Sequence, residues 1–412
     1  MDKVPIWART DLDGLNTDDN KFPLYSFQCG IKKGFLNHNF FPEHGDPYIN
    51  LGITSELADK VYELVDNPKR YRKYYYPFPW PVIESHLFDD AIEIEPNHLK
   101  NIRKGKCKIL VINTMEGWNH DNFFKTIIDY LIKRYNLNYG NFVILNGNMR
   151  NTNFKVPTVY YNWWEQHMRQ HDVVKYANSG FWNTSAKRKR YRFICLNRRP
   201  HAHRLLLTSL LYKHKDRGIL TCFKEVDNGS TRVLERSLKY SLNSYPGLKH
   251  LVDEEFLNNL PLTVNDGINA ADDNPTIDSN DGKFYDSWLH IVTETFAVNG
   301  QTFFSEKIFK PIIYWQPFIL IGAQHDLKAL RSLGYKTFNG IIDESYDNIG
   351  DNDDRLMAAY KEIERIITMT DDEILNFYNK CYDVIVHNFY HWIYRQHTIH
   401  IGLKADLLRV LG

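Results

Sequence analysis

The sequence predicts an α/β protein made of two doubly wound, Rossmann-like domains. Three observations lead to that class. Strand-like and helix-like stretches alternate over residues 106–171 and again over 191–321, the pattern of parallel sheets with covering helices. In both halves a polar or charged loop follows a strand directly, where such sheets bind ligands. At 412 residues the chain is long enough for two domains of ordinary size with ample buried surface.

Taken in order, residues 1–50 are polar, aromatic and irregular and receive no assignment. Residues 54–65 have helical spacing with a cap at Thr54 or Ser55. Residues 69–76 (KRYRKYYY) alternate base and tyrosine. They read as a solvated surface segment, or as a strip that tracks a phosphate backbone. The first α/β unit opens at Lys106, with strands at 109–112, 142–145 and 158–161 and helices at 121–135 and 163–171. The loop after its first strand carries Glu116, His120 and Asp121. Glu116 stands at the crevice mouth, as a base that takes a hydroxyl proton or as a cap for Gly117 or the next helix. Residues 160–165 (YYNWWE) suit stacking on rings, or burial at a helix start. Residues 176–189 are small, polar and basic and read as a linker.

The second unit opens with a strand at 191–196, a cationic loop (NRRPHAHR) to Arg204, a helix at 205–213 and a strand at 219–223. Arg198, Arg199 and Arg204 offer planar forks that grip phosphate oxygens; the alternative is a solvated basic loop. Lys187 to Arg190 form a basic run, a solvated linker or a nucleic-acid patch. Residues 264–286 are an acidic loop without the alternating ligands and closing Glu of an EF-hand. Strands follow at 289–292 and 318–321, the second ending at Gly322. Between them Ser305 is a good N-cap, with Glu306 and Lys307 in the first helical turn. A helix start suits an anion such as a phosphate, and Lys307 adds a full charge there. Glu306 suits ribose or sugar hydroxyls, and Glu294 reaches the same crevice. Pro311 shortens or kinks the helix. Residues 326–333 form a short helix, 337–342 lead as a strand into a loop with Glu344, and helices occupy 353–369, 371–387 and 390–411.

Glu294, Glu306-Lys307 and Gln316-Pro317-Phe318-Ile319 together resemble the donor site of fucosyltransferase-type glycosyltransferases of the GT-B fold. In that family a strand ends in Phe-Glu-Asn-Ser, a helix opens with Thr-Glu-Lys, and a strand near Val-Pro-Val-Val follows. Thr295 stands where the family has Asn, and Lys310-Pro311 is not its usual continuation. The resemblance spans about the C-terminal half. It implies two domains facing each other across a cleft, with C-terminal helices packing back. It implies that Lys307 touches the donor diphosphate, Glu306 the ribose or sugar, and that Glu294 lines the site. Arg204 matches the family's diphosphate-binding Arg to within about one residue. Glu116 is similarly placed to the family's Glu after an N-terminal-domain strand.

The expected organisation is an acceptor-binding domain over 1–185, a nucleotide-sugar-binding domain over 186–385 and a C-terminal helix over 386–412. The expected activity is metal-independent, inverting transfer of a sugar from a GDP- or UDP-sugar, a substrate with no separate cofactor, to a carbohydrate or other hydroxyl. Arg198, Arg204, Glu294, Ser305, Glu306 and Lys307 would bind the donor and Glu116 would act as base. A nucleic-acid-binding protein, or a glycosyltransferase acting on hydroxymethylated DNA bases, is the alternative. Asp351-Asn352-Asp353 spells a metal-binding DxD but reads as a helix cap. A net charge of +1 gives no global field for nucleic acid or membrane. The 14% aromatic content suits sugar stacking and, equally, a large core. Five cysteines lack metal spacing and read as reduced thiols. No apolar signal or membrane-length run occurs, which leads to the expectation of a cytoplasmic protein of a bacterium or a virus-infected host cell.

Overall fold

The short apolar runs become strands of two separate parallel sheets. The computed structural model describes residues 3–7, 53, 57, 60–65, 73–79, 94, 96–114, 121–150, 155–168, 189–224, 233–263, 281–298 and 300–412. The chain divides into two compact units, Met1–His167 with His397–Gly412, and Met168–Gln396. Each holds one helix-flanked parallel sheet, so the architecture is a twin Rossmann-like α/β protein.

In the first unit, β1 (Val4–Trp7), β2 (Tyr62–Val65), β3 (Tyr74–Pro79), β4 (Cys107–Asn113), β5 (Phe142–Asn146) and β6 (Thr158–Tyr160) lie in the order β2-β1-β3-β4-β5-β6. All pairs are parallel. Helices α1 (Pro96–Arg103), α2 (Asp121–Tyr135) and α3 (Trp163–His167) punctuate them. Successive side chains of a strand point to opposite faces. Tyr74, Tyr76, Ile109 and Val111 accordingly pack with Ile128 and Leu131 of α2. Tyr75, Leu110 and Ile112 pack on the other face with Leu403, Leu407 and Leu411. Tyr75 Oη also donates to Leu407 O at 2.7 Å.

Several sequence expectations change here. The strip at 69–76 ends in a buried strand, because Tyr74, Tyr75 and Tyr76 fill both sides of a covered sheet; residues 69–72 lie outside the described residues. The helical spacing of 54–65 gives way at Tyr62 to β2, whose parallel partner β1 lies in the stretch that received no assignment. Trp163 is buried and stacks on His167, with ring centroids 4.2 Å apart. Glu116 and His120 lie outside the described residues.

The second unit contains β7 (Tyr191–Asn197), α4 (Ala202–Tyr212), β8 (Gly218–Cys222), α5 (Val233–Lys239), α6 (Glu254–Asn258) and α7 (Asp281–Tyr285). Then come β9 (Ser287–Thr293), α8 (Glu306–Ile313), β10 (Phe318–Ile321), α9 (Asp326–Ser332), α10 (Asn352–Ile367) and α11 (Asp371–Leu411). The sheet order is β10-β9-β7-β8, all parallel. Every residue of β9 is buried, as expected of a strand covered on both faces. Residues 337–342 form no strand; Asn339 bridges to Ile342 around Gly340, whose φ of 84° makes a tight turn. The helices expected at 371–387 and 390–411 are one helix of 41 residues. The two positions between them are Asn388 and Phe389, neither a helix breaker. Asn388 binds the Lys336 backbone at 2.7 and 2.9 Å, and Phe389 packs on Trp315. Cys107, Cys195, Cys222 and Cys381 are buried free thiols. Among the described residues no helix is long and apolar enough to cross a membrane.

Candidate functional site

The order of the second sheet fixes where a ligand approaches. From β7 the chain goes to β8 on one side, then returns to β9 and β10 on the other. Loops leaving the carboxyl ends of β7 and β9 therefore diverge, and in open α/β sheets that switch point is the ligand crevice. A crevice of about 350 Å³, open solvent included, is lined by Leu196 and Arg198 after β7, by His290, Ile291, Val292 and Thr293 of β9, and by Lys307 and Lys310 of α8.

Its floor is tied together by buried polar groups. Thr293 Oγ1 donates to Asn197 Oδ1 at 2.5 Å, and Asn197 N donates to Thr221 Oγ1 at 2.9 Å, so three strand ends are locked in register. Arg204, only 3% exposed, donates through Nη2 to Thr293 O and Glu294 O, both at 3.1 Å, and through Nη1 to Arg199 O at 3.3 Å. Its guanidinium thus fastens the end of β9 to the loop after β7. Its Nε–H has no hydrogen-bond partner among the described residues. His203 Nε2 lies 2.9 Å from Glu294 O, which accepts only if that nitrogen carries the proton.

Glu294 is completely buried and spans from β9 to α8. Its carboxylate accepts from Ser305 Oγ at 2.6 Å, from Ser305 N at 3.2 and 3.3 Å, and from Thr295 N at 3.2 Å. Burial raises its pKa, against the opposing pull of Lys307 and Ser305. Ser305 in turn caps α8, its hydroxyl accepting from Lys307 N at 3.4 Å. Lys307 Nζ donates to Ser305 Oγ at 3.1 Å and to Glu306 Oε1 at 2.9 Å. Both members of that ion pair are partly exposed, Lys307 at 22% and Glu306 at 24%. Burial works against the Glu306 charge, but Lys307 and Lys310 overcome it and hold the carboxyl down at about 2. Pro311 has no N–H to donate back along α8, and the helix stops at Ile313.

Arg198, Arg204, Glu294, Ser305, Glu306 and Lys307 therefore all cluster around the ends of β7 and β9 and the start of α8. Arg198 and Lys307 line the crevice; Arg204, Glu294 and Ser305 bind chiefly to backbone and to one another. Lys310 is a neighbour that the sequence did not single out. It is 6% exposed and lines the same crevice, and burial pushes its ammonium down to about 8 although Glu306 and Glu294 partly compensate. Its position three residues after Lys307, on one helix face, was the available signal. His201 and His203 were also unassigned; burial first, then Arg204, pushes them down to about 2 and about 3, so both are neutral.

Elsewhere the acidic candidates are engaged in structural hydrogen bonds. Asp351 caps α10 by accepting from Asp354 N at 3.0 Å, and Asp353 accepts from Gly247 N at 2.6 Å. Glu344 accepts from Phe338 N at 2.6 Å and Thr337 Oγ1 at 2.7 Å. Among the described residues no cluster of His, Cys, Asp and Glu could hold a metal ion.

Comparison with protein-family models, with curated proteins and with solved structures gave no match. The fold resembles that of a generic twin-domain, nucleotide-binding, transferase-like enzyme, and a cationic crevice lies at the switch point of its second sheet.

Proposed function

We propose that the protein is a GT-B-type glycosyltransferase that binds a nucleoside diphosphate sugar in its second unit and moves the sugar to an acceptor hydroxyl. One observation carries this above all. Cations from two separate elements, Arg198 after β7 and Lys307 at the start of α8, line one crevice at the switch point. Such a crevice suits the charge that grows on a leaving diphosphate, which fixed donors and cations stabilise without reorganising. Transfer in this scheme is metal-independent and inverting. Arg204, Glu294 and Ser305 hold the crevice in shape, and Arg204 Nε–H remains as a donor toward the diphosphate. Glu306 meets the ribose or sugar when the donor takes over Lys307, and Glu116 is the base. A carbohydrate is the acceptor, or the hydroxyl of a modified DNA base. Use of the 187–190 run as a nucleic-acid patch is the weaker reading. Lys189 is spent on Tyr285 O at 2.5 Å and on the Trp288 and Tyr378 rings.

A thermal-shift screen against UDP, GDP, CMP and their sugar conjugates tests the donor site, with Lys307→Ala and Arg198→Ala beside wild type. A nucleotide at about 100 times its dissociation constant adds roughly 2.7 kcal/mol to wild type. Both variants are expected to lose most of that stabilisation. If no nucleotide stabilises wild type, or the variants respond as wild type does, the donor-site assignment fails.

A further inference from the structure

We infer that His290 is a specificity-determining residue of the crevice, where its Nε2 accepts a hydrogen bond from a hydroxyl of the bound ligand. This deepens the function proposed above and rests on its assignment of the crevice to a nucleoside diphosphate sugar.

Position comes first. Between Ser287 and Thr293 at its ends, β9 reads Trp288, Leu289, His290, Ile291 and Val292, so a histidine interrupts an apolar run inside a buried strand. Side chains alternate along a strand. Thr293 donates to Asn197, whose amide in turn donates to Thr208 of α4 at 3.4 Å. Positions 291 and 293 therefore face α4. Positions 290 and 292 face the other side, where the charge of Lys310 on α8 acts on the His290 ring. His290 lines the crevice together with Lys307 and Lys310.

The tautomer comes second. Gln316 Nε2 donates to Phe284 O at 2.6 Å and to Ser287 O at 3.1 Å. Carbonyls only accept, so this amide cannot turn over without losing both bonds. Its Oε1 therefore faces His290 Nδ1 at 3.0 Å, and Nδ1 carries the proton. The Phe284 ring stacks on the imidazole, with centroids 5.5 Å apart, and holds its plane. Burial, with Lys310 adding to it and Gln316 opposing, pushes the ring down to about 3, so it takes no second proton at neutral pH. Nε2 keeps its lone pair. It has no hydrogen-bond partner among the described residues and is not sealed off.

The third point is what that lone pair can meet. An ionised phosphate oxygen only accepts, so it gains nothing from Nε2. The charged side chains lining the crevice, Arg198, Lys307 and Lys310, only donate, and the Thr293 hydroxyl is spent on Asn197. Nε2 is the side-chain acceptor that remains, and it calls for an O–H. His290 stands three residues before the end of β9, roughly 10 Å along the strand. A ligand with its phosphates at the strand ends and the start of α8 brings a neighbouring sugar ring into that depth. Pyrophosphate alone would leave the acceptor unmatched.

The test uses the full chain. Nitrogen NMR of the labelled wild type is expected to show His290 protonated at Nδ1, with a bare Nε2 whose signal moves when ligand binds. Isothermal titration then compares UDP and GDP, their 2′,3′-dideoxy forms, and the conjugates UDP-glucose and GDP-mannose. His290→Asn keeps a donor toward Gln316 and removes the acceptor at the Nε2 position, whereas His290→Gln puts an amide oxygen back near it. His290→Asn should weaken the hydroxyl-bearing ligand about five- to ten-fold, the effect of one net hydrogen bond, and His290→Gln should recover most of that loss. A loss with UDP or GDP but not with the dideoxy forms assigns the contact to ribose. A loss with the conjugates alone assigns it to the transferred sugar. A proton on Nε2 in wild type overturns the inference, and this arm stands even if the variants fail to fold. An equal loss for the dideoxy forms overturns it as well. Wild-type affinity of His290→Asn for every nucleotide and conjugate overturns it while leaving the proposed function standing. If no nucleotide binds wild type, the proposed function fails and the inference falls with it.

Discussion

Replacing Ser305 with alanine removes a junction that joins β9 to α8. Its hydroxyl donates to the buried Glu294 carboxylate at 2.6 Å and accepts from Lys307 N at 3.4 Å. A hydrogen bond to a charged group contributes about 1.5–3 kcal/mol, and loss of an N-cap costs about 1 kcal/mol. The cap contact is long, and Glu294 keeps the amides of Ser305 and Thr295, so the lower part of the combined range applies. Ser305→Ala is expected to destabilise the second unit by roughly 2–3 kcal/mol, or roughly 4–12 °C in Tm for a unit of this size. Urea denaturation followed by circular dichroism measures it, with Ser305→Thr as the partner variant that keeps the hydroxyl. A loss below about 0.5 kcal/mol, or a Ser305→Thr protein as unstable as Ser305→Ala, would refute the assignment of Ser305 as the link between strand and helix.

Two further outcomes can be checked on the same unit. A side chain at Gly322 would place its Cβ 2.2 Å from Asp326 Oδ2, the oxygen that accepts from Ala323 N at 2.7 Å. Gly322→Ala should therefore lower the urea midpoint by an amount equivalent to about 1–3 kcal/mol, and a neutral result would mean that the turn after β10 gives way freely. His203 and His290, both buried, are pushed down by desolvation from 6.5 to about 3. The unfolded chain takes up these protons below about pH 6.5 while the folded unit does not, so stability is full above that pH and falls as pH drops toward 3. Each histidine contributes about 1.4 kcal/mol per pH unit, so the pair costs roughly 4 kcal/mol between pH 6.5 and pH 5. Glu294, Asp326 and Glu344, whose pKa values burial raises, oppose this, while His201, pushed down to about 2, adds to it. Urea midpoints that stay level from pH 7 to pH 5 would show that these rings are not held neutral.

What the sequence discloses about the fold is what neighbouring residues decide. β10 is Phe318–Ile321 in both readings, because an apolar run bounded by Pro317 and Gly322 has few alternatives. Ser305 caps α8 through a bond to an amide two residues on, also a local matter. β1 is different. Four residues in a polar stretch become a strand because Tyr62–Val65 pairs with them from far along the chain, and the same pairing overrides the helical spacing of 54–65. Tyr74 to Tyr76 look like a basic surface strip until helices from two distant segments cover both faces. Within the site, the bond of Glu294 to Ser305 crosses eleven residues of sequence, and Lys310 shares its crevice with residues of β7 and β9. Neither could be read from spacing alone.

The long helix α11 sets the order in which the molecule can be completed during synthesis. The first unit supplies its six strands before residue 161, but one face of that sheet is packed by Leu403, Leu407 and Leu411. A ribosome adding about 5–20 residues per second needs roughly ten to fifty seconds to travel from the end of the first segment to those leucines. Throughout that interval Tyr75, Leu110 and Ile112 lack part of their cover, while Met168–Gln396 emerges as one uninterrupted segment. The unit whose strands are made first is therefore the one whose cover is completed last.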